Sequence, residues 1–142
     1  MAFFETLLTG HEISFIIGLA IAVIAGTLIG IEREARWKPA GISTQSLVIG
    51  GAFIFTFMST VLDPNSPARV AAQVVSGVGF LGAGIILKGG KGKITNLTTA
   101  ASIWYAAAIG MTIGFGWYLI AVAAVVYAIF VPRIPHISKK KP

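Results

Sequence analysis

Five apolar runs follow one another along this chain, at residues 13–31, 46–62, 70–87, 97–113 and 117–131, and each comes close to the roughly 20 residues that a helix needs to cross a bilayer. The pattern leaves few folds open. In hydrocarbon every backbone N–H and C=O must find a partner within the protein, which restricts successive apolar runs of this length to a bundle of helices. Composition decides the class: hydrophobic residues make up 56% of the 142 positions and charged residues 11%, against roughly 25% charged in soluble domains. A water-soluble domain of this size could not hide so much apolar surface. The expected fold is an all-α integral membrane protein, one transmembrane domain over residues 1–142 with the lipid bilayer as its solvent and no soluble domain on either side. Glu5 and Glu12 precede the first run and no Lys or Arg does, so that run reads as a retained helix and not as a cleavable signal peptide.

Charge placement sets the direction. With the N-terminus outside, segments 32–41 and 88–96 and the tail from residue 132 lie inside. They hold Arg33, Arg36, Lys38, Lys88, Lys91, Lys93, Arg133, Lys139, Lys140 and Lys141, and of the 11 basic residues only Arg69 falls outside. This is the positive-inside bias expected of an N-out, C-in topology. Fusing the last two runs into one helix would put the basic tail outside. The net charge of +6 therefore reflects topology, and no nucleic-acid partner is expected. The Lys139–141 run anchors the inner end, with contact to anionic lipid as a second use. Pro64 and Pro67 favour a tight extended link between the second and third helices, and residues 114–116 leave room only for a turn. Trp37, Trp117 and Tyr118 stand where interfacial aromatics are expected.

Small residues predict how the helices pack. Gly18, Ala22, Gly26 and Gly30 recur every four residues in the first helix, the spacing that lets helix backbones approach closely in lipid. Glu34 continues that spacing. Ala106, Gly110 and Gly114 make a second stripe in the fourth helix. Either stripe serves packing within the chain or a homo-oligomer interface. The third run, VAAQVVSGVGFLGAGIIL, carries Gly77, Gly79, Gly82 and Gly84 with other small residues on every face. It reads as a central helix contacted from several sides, with local unwinding open to it where protein or a polar cavity surrounds it.

Few residues offer chemistry. GVGFLG matches the dinucleotide fingerprint, but that motif needs a preceding strand and an acid about twenty residues on, and no Asp or Glu follows Asp63. No two of the 5 carboxylates share a span, which excludes an intramembrane acid–base dyad and argues against a dehydrated Mg²⁺ or Ca²⁺ site. With no cysteine, thiol chemistry is excluded, and His11 and His136 belong to opposite faces. No cofactor, resident metal or enzymatic activity is expected. Two polar constellations remain. Asp63, Arg69 and Gln73 form either a salt-bridged turn or a polar entrance at the outer surface. Thr98, Thr99 and Ser102 open the fourth helix, as caps and interhelix hydrogen bonds or as a contact for a ligand or partner.

The strings GIEREARWKPAGISTQSLV and DPNSPARVAAQVVSGVGFLGAGIILKGGKGKITNLTTAASIWYAAAIGMTIGFG resemble the MgtC/SapB family of bacterial inner-membrane proteins over residues 30–116. The resemblance implies about five spanning helices with the N-terminus outside, a setting in adaptation to low magnesium and, in pathogens, survival inside macrophages. It also implies association with other membrane complexes, notably the proton-driven ATP synthase. Glu32 and Arg33 match the family's acidic–basic pair after the first helix; Asp63, Arg69 and Gln73 match its outer-turn motif; Gly77, Gly79, Gly82 and Gly84 match its glycine run. Where many members have Gly-Leu-Asn-Thr, this chain reads Asn96-Leu97-Thr98-Thr99, so the family's functional Asn falls on Thr98. The C-terminal soluble domain implied for virulence-linked members has no counterpart up to Pro142. The expected function is that of a non-enzymatic modulator acting through helix contacts, as a homo-oligomer or with another membrane complex. The rival expectation is a small oligomeric cation transporter or channel built on Asp63, Arg69 and Gln73.

Overall fold

The computed structural model describes residues 10–87 and 95–135, for Leu87 the backbone only. Glu5, His136 and the basic residues Lys88, Lys91, Lys93 and Lys139–141, on which part of the topology argument rests, lie outside the described residues. Five α-helices follow in order: α1 Glu12–Ala35, α2 Ile42–Leu62, α3 Ala68–Leu87, α4 Leu97–Gly114 and α5 Tyr118–Phe130, the last continued by a 3₁₀ turn Val131–Arg133. Among the described residues there is no strand. The first four helices are long and apolar enough to cross a membrane, and α5 with its 3₁₀ turn is shorter.

Three boundaries depart from expectation for local reasons. α1 runs past residue 31 because Glu32, Arg33 and Glu34 are good helix formers that continue it beyond the apolar run. It ends in a Schellman arrangement, with the Trp37 N–H on the Glu34 carbonyl at 3.0 Å and the Lys38 N–H on the Arg33 carbonyl at 3.0 Å. α2 begins at Ile42, four residues before the apolar run, because the Glu34 carboxylate accepts the Ile42 N–H at 2.9 Å and so satisfies one orphan donor of its first turn. Pro132 removes a donor and closes α5 as a 3₁₀ turn. At the opposite end Gly116 takes φ 76°, and the Gly116 and Trp117 N–H groups close α4 onto Ile113 and Thr112, a left-handed position that glycine occupies without strain.

The helices alternate in direction. The α1–α2 link, the start of α4 and the end of α5 gather at one end, where Arg33 meets Thr99 and Arg36 meets the Pro132 carbonyl. The start of α1 lies at the other end, His11 facing Phe57 edge-on at 6.3 Å. Of the described basic residues, Arg33, Arg36, Lys38 and Arg133 belong to the first end and Arg69 to the second.

α2 is the middle of the bundle, packed on α1 on one side and on α4 on the other. Lipid is as apolar as a leucine side chain, so close packing and hydrogen bonds, more than water exclusion, hold such helices together. Glycine sets the distance. A Cβ at Gly26 would collide with the Ser46 backbone, one at Gly30 with the Ile42 backbone, and one at Gly18 with the Phe53 ring. On α4, Gly110 lies against the Ile49 carbonyl and Gly114 against Thr56. Ala22, Ala25, Ile29, Ile49, Phe53, Ile109 and Ile113 fill the space between these contacts, and Phe15, Phe53 and Phe57 stack at centroid separations of 5.4 to 5.7 Å.

α3 corrects the expectation of a central helix. It is regular from Ala68 to Leu87 and peripheral. Among its described side chains only Ala71, Val74 and Val78, with Gly82, are buried, in one stripe turned toward α4 and α2. The small residues elsewhere on α3 leave its outer face bare.

Candidate functional site at the basic end of the bundle

Sequence places Glu32 and Arg33 beyond the first helix and Thr98, Thr99 and Ser102 some sixty residues later. The fold brings them together. Arg33 sits in the last turn of α1 and is only 2% exposed. Its Nη2 donates to Thr99 Oγ1 at 2.7 Å and to the Pro39 carbonyl at 2.9 Å, and Nε donates to the same carbonyl at 3.3 Å. This is the planar fork of a guanidinium fitted to two acceptors, which a lysine would not reproduce.

Arg33 thereby ties the 36–41 link to α4. That link carries Trp37 at φ 54° and Ala40 at φ 61°. A left-handed conformation costs a residue with a Cβ roughly 1–2 kcal/mol, so the link depends on the contacts around it. Gln45, which sequence reading passed over, supplies another: it is fully buried, and Nε2 donates to the Ala40 carbonyl at 3.2 Å and to Ser102 Oγ at 3.3 Å. Ser102 in turn donates to the Thr99 carbonyl at 2.8 Å. The buried Gln45 Oε1 has no hydrogen-bond partner among the described residues, nor have Ser46 Oγ and Thr56 Oγ1. The signal for Gln45 was a polar residue one step before an apolar run, which is also what an interfacial residue looks like.

The carboxylates nearby are engaged elsewhere. Glu32, itself buried, pairs with Arg36 at 3.2 Å, and Glu34 caps α2 and fills the space beside Gly41. Arg36 also donates to the Pro132 carbonyl, fastening the end of α5 to the end of α1. Thr98, unlike Thr99, is exposed. It lines a cavity of about 330 Å³ between α1, α4 and α5, together with Arg33, Ser102, Trp104, Tyr105 and Tyr127.

The outer-turn constellation comes apart. Asp63 forms no ion pair with Arg69; its carboxylate accepts the Ser66 N–H at 3.2 Å, closing the Pro-containing turn on itself. Ser59 donates to the Pro67 carbonyl at 2.6 Å and holds the same turn from below. Gln73 is exposed on the flank of α3, in an apolar groove of about 480 Å³ shared with Leu47, Gly51, Phe55 and Val70. It faces no polar entrance. Among the described residues no three His, Cys, Asp or Glu side chains gather as a metal site.

The glycine candidates divide into two sets. Gly18, Gly26, Gly30 and Gly110, with Ala22, are consumed by contacts within the chain. Gly82 meets Ala100 at an ordinary 3.7 Å, and Gly77, Gly79 and Gly84 have nothing within 4 Å of where a Cβ would stand. Next to them on α3, Ser76 is exposed and Phe80 is 82% exposed.

The sequence profile of the MgtC family matches residues 19–138. The chain is 45% identical over 112 residues to Protein MgtC of Salmonella typhimurium (strain LT2), a match covering 79% of this chain and 48% of that protein. It is 48% identical over 114 residues to Protein MgtC of Brucella abortus (strain 2308), covering 80% of this chain and 48% of that one. The chain thus spans about half the length of the curated relatives it matches. No solved structure matches it significantly. A bundle with four helices of spanning length among the described residues, matched over residues 19–138 by one profile, places the chain as a multi-pass membrane protein that belongs to the MgtC family.

Proposed function

We propose that the chain is a non-enzymatic modulator of other complexes in the bacterial inner membrane, acting in adaptation to low magnesium, and that it acts through the outer face of α3. One observation carries the reading. Gly77, Gly79 and Gly84 stand open, flanked by the exposed polar groups of Gln73 and Ser76. In lipid, small residues let a second helix approach closely, and an amide or hydroxyl beside them can hydrogen-bond across to that helix. The glycines of α1 and α4 cannot serve this purpose, because their space is already filled. Family membership supports the magnesium setting, and the resemblance makes the proton-driven ATP synthase the first partner to test. In the absence of such a partner the same face pairs with a second copy of the chain. The orientation that goes with this reading is N-out, C-in, with Arg33, Arg36, Lys38 and Arg133 on the cytoplasmic side.

The experiment is co-purification from membranes in mild detergent, comparing the unaltered chain with Gly77→Leu/Gly84→Leu. The double substitution fills open space, so the bundle keeps its thermal stability while the partner is lost. Retention of the partner by the variant removes the face from the mechanism. Cation flux through the purified chain in liposomes, stopped by Asp63→Ala, replaces the modulator with the transporter.

A further inference from the structure

The basic end of the bundle holds one buried cation whose neighbouring carboxylate is shared with a second guanidinium. Arg36, Lys38, Arg69 and Arg133 reach solvent or the interface and can take mobile counter-ions. Arg33 is 2% exposed and opens only onto the cavity between α1, α4 and α5. Its acceptors are a carbonyl and a hydroxyl, its neighbour Glu32 is taken by Arg36, and Nη1 has no hydrogen-bond partner among the described residues. A buried charge whose carboxylate is shared with another cation is costly unless a further opposite charge completes it.

The same spot carries a second positive feature. α4 begins at Asn96, a left-handed residue at φ 62° whose side chain makes no capping bond. Among the described residues nothing caps the N–H groups of the first turn, and with the positive end of the helix dipole they lie beside Arg33 Nη2, which already touches Thr99. The cavity of about 330 Å³ adjoins both.

Its walls say what kind of anion fits. Beyond Arg33, Thr98 and Ser102 they are apolar or aromatic, and Trp104 and Tyr127 at the rim are 51% and 55% exposed. The cavity thus opens sideways, on the perimeter of the bundle where lipid lies. A soluble anion would leave these walls bare. An amphiphile would cover them.

We infer that the α1–α4–α5 cavity binds an anionic glycerophospholipid, its phosphate at Arg33 and the N-terminus of α4 and one acyl chain along Ile29, Trp104 and Val131. A net-negative headgroup is specified because Arg33, Arg36 and Arg133 share this end, and an ammonium beside the phosphate would be repelled. The lipid then completes the Arg33 network and braces the strained 36–41 link.

The test uses the full chain in mild detergent, read by native mass spectrometry and by thermal unfolding. The probes are phosphatidylglycerol, phosphatidylcholine with the same acyl chains, and sodium phosphate. Phosphatidylglycerol should remain as a one-to-one adduct and raise the unfolding temperature more than the other two. Arg33→Lys should weaken that adduct by about tenfold, the loss carried by one charge-assisted hydrogen bond. Because Arg33 is also structural, Ala101→Phe provides the independent arm. Ala101 is exposed on the cavity wall, so the ring fills the cavity, abolishes the adduct and leaves lipid-free unfolding unchanged. Equal retention of both lipids overturns the charge argument, and an adduct that survives Ala101→Phe overturns the site. Full stabilisation by sodium phosphate alone overturns the lipid as occupant.

Discussion

Replacing Gly26 by alanine adds one methyl group where the α1 backbone crosses α2. The ideal Cβ would lie 2.6 Å from both the Ser46 nitrogen and its Oγ, about 1 Å inside ordinary van der Waals separation. The obstacle is backbone, so no rotamer change relieves it and the two helices must part by that amount. A gap of this size forfeits a quarter to a half of each dispersion contact across the interface. Overpacking of this kind costs about 1–3 kcal/mol. A backbone obstacle puts the cost at the upper end of that range, and with up to about 1 kcal/mol recovered through alanine's higher helix propensity the net loss is about 2 kcal/mol, or about thirtyfold in the unfolding equilibrium. Gly77→Ala makes the same chemical change on α3, where nothing stands within 4 Å. Only the propensity term survives there, and the sign reverses to a gain of about 0.5–1 kcal/mol. Reversible unfolding of the two variants in mixed micelles, followed by far-UV circular dichroism, measures both. A Gly26→Ala protein as stable as the unaltered chain would refute the account of α1–α2 packing, and a destabilised Gly77→Ala would refute the open α3 face.

Two further outcomes follow from the polar network. Thr99→Val removes the hydroxyl that Arg33 Nη2 contacts at 2.7 Å and should cost about 1.5–3 kcal/mol, whereas Thr98→Val, on an exposed neighbour, should stay within about 0.5 kcal/mol in the same unfolding assay. Thr56→Val should raise stability by about 1 kcal/mol, because it deletes a buried hydroxyl that has no partner and keeps the shape of the side chain; a loss of stability there would mean that the hydroxyl is satisfied.

The helical bundle was legible because hydrophobic run length and charge alternation are local properties of the chain. The packing role of Gly18, Gly26 and Gly30 was half legible. Their four-residue spacing marks a face, but a stripe of small residues says nothing about whether the helix that uses it belongs to the same chain. α3 shows the same ambiguity resolved the other way. Its glycines suggested crowding, yet among its described residues only Ala71, Val74, Val78 and Gly82 are buried, since small side chains permit contact without supplying it. The site at the basic end was read as two fragments because Arg33 and Thr99 are 66 residues apart, and no spacing rule connects α1 to α4. Asp63 and Arg69 were close enough in sequence to suggest a pair. The Pro-containing turn instead satisfies Asp63 with a backbone N–H, a competitor that needs no side-chain ordering.

The narrow seam under α3 divides the molecule mechanically. α1, α2 and α4 interlock through glycines whose space is fully used, and Arg36 fastens α5 to them, whereas α3 rests on a single row of small contacts. Slow opening of a folded protein follows its least-packed boundaries, so breathing motions of this bundle run along the outer helices α3 and α5 while α1, α2 and α4 stay locked. Amide hydrogens on α3 and α5 exchange before those of α2. A neighbour that grips the outer face of α3 pulls on an outrigger, and the pull reaches α4 where Val74 and Val78 pack with Ile103 and Ala107.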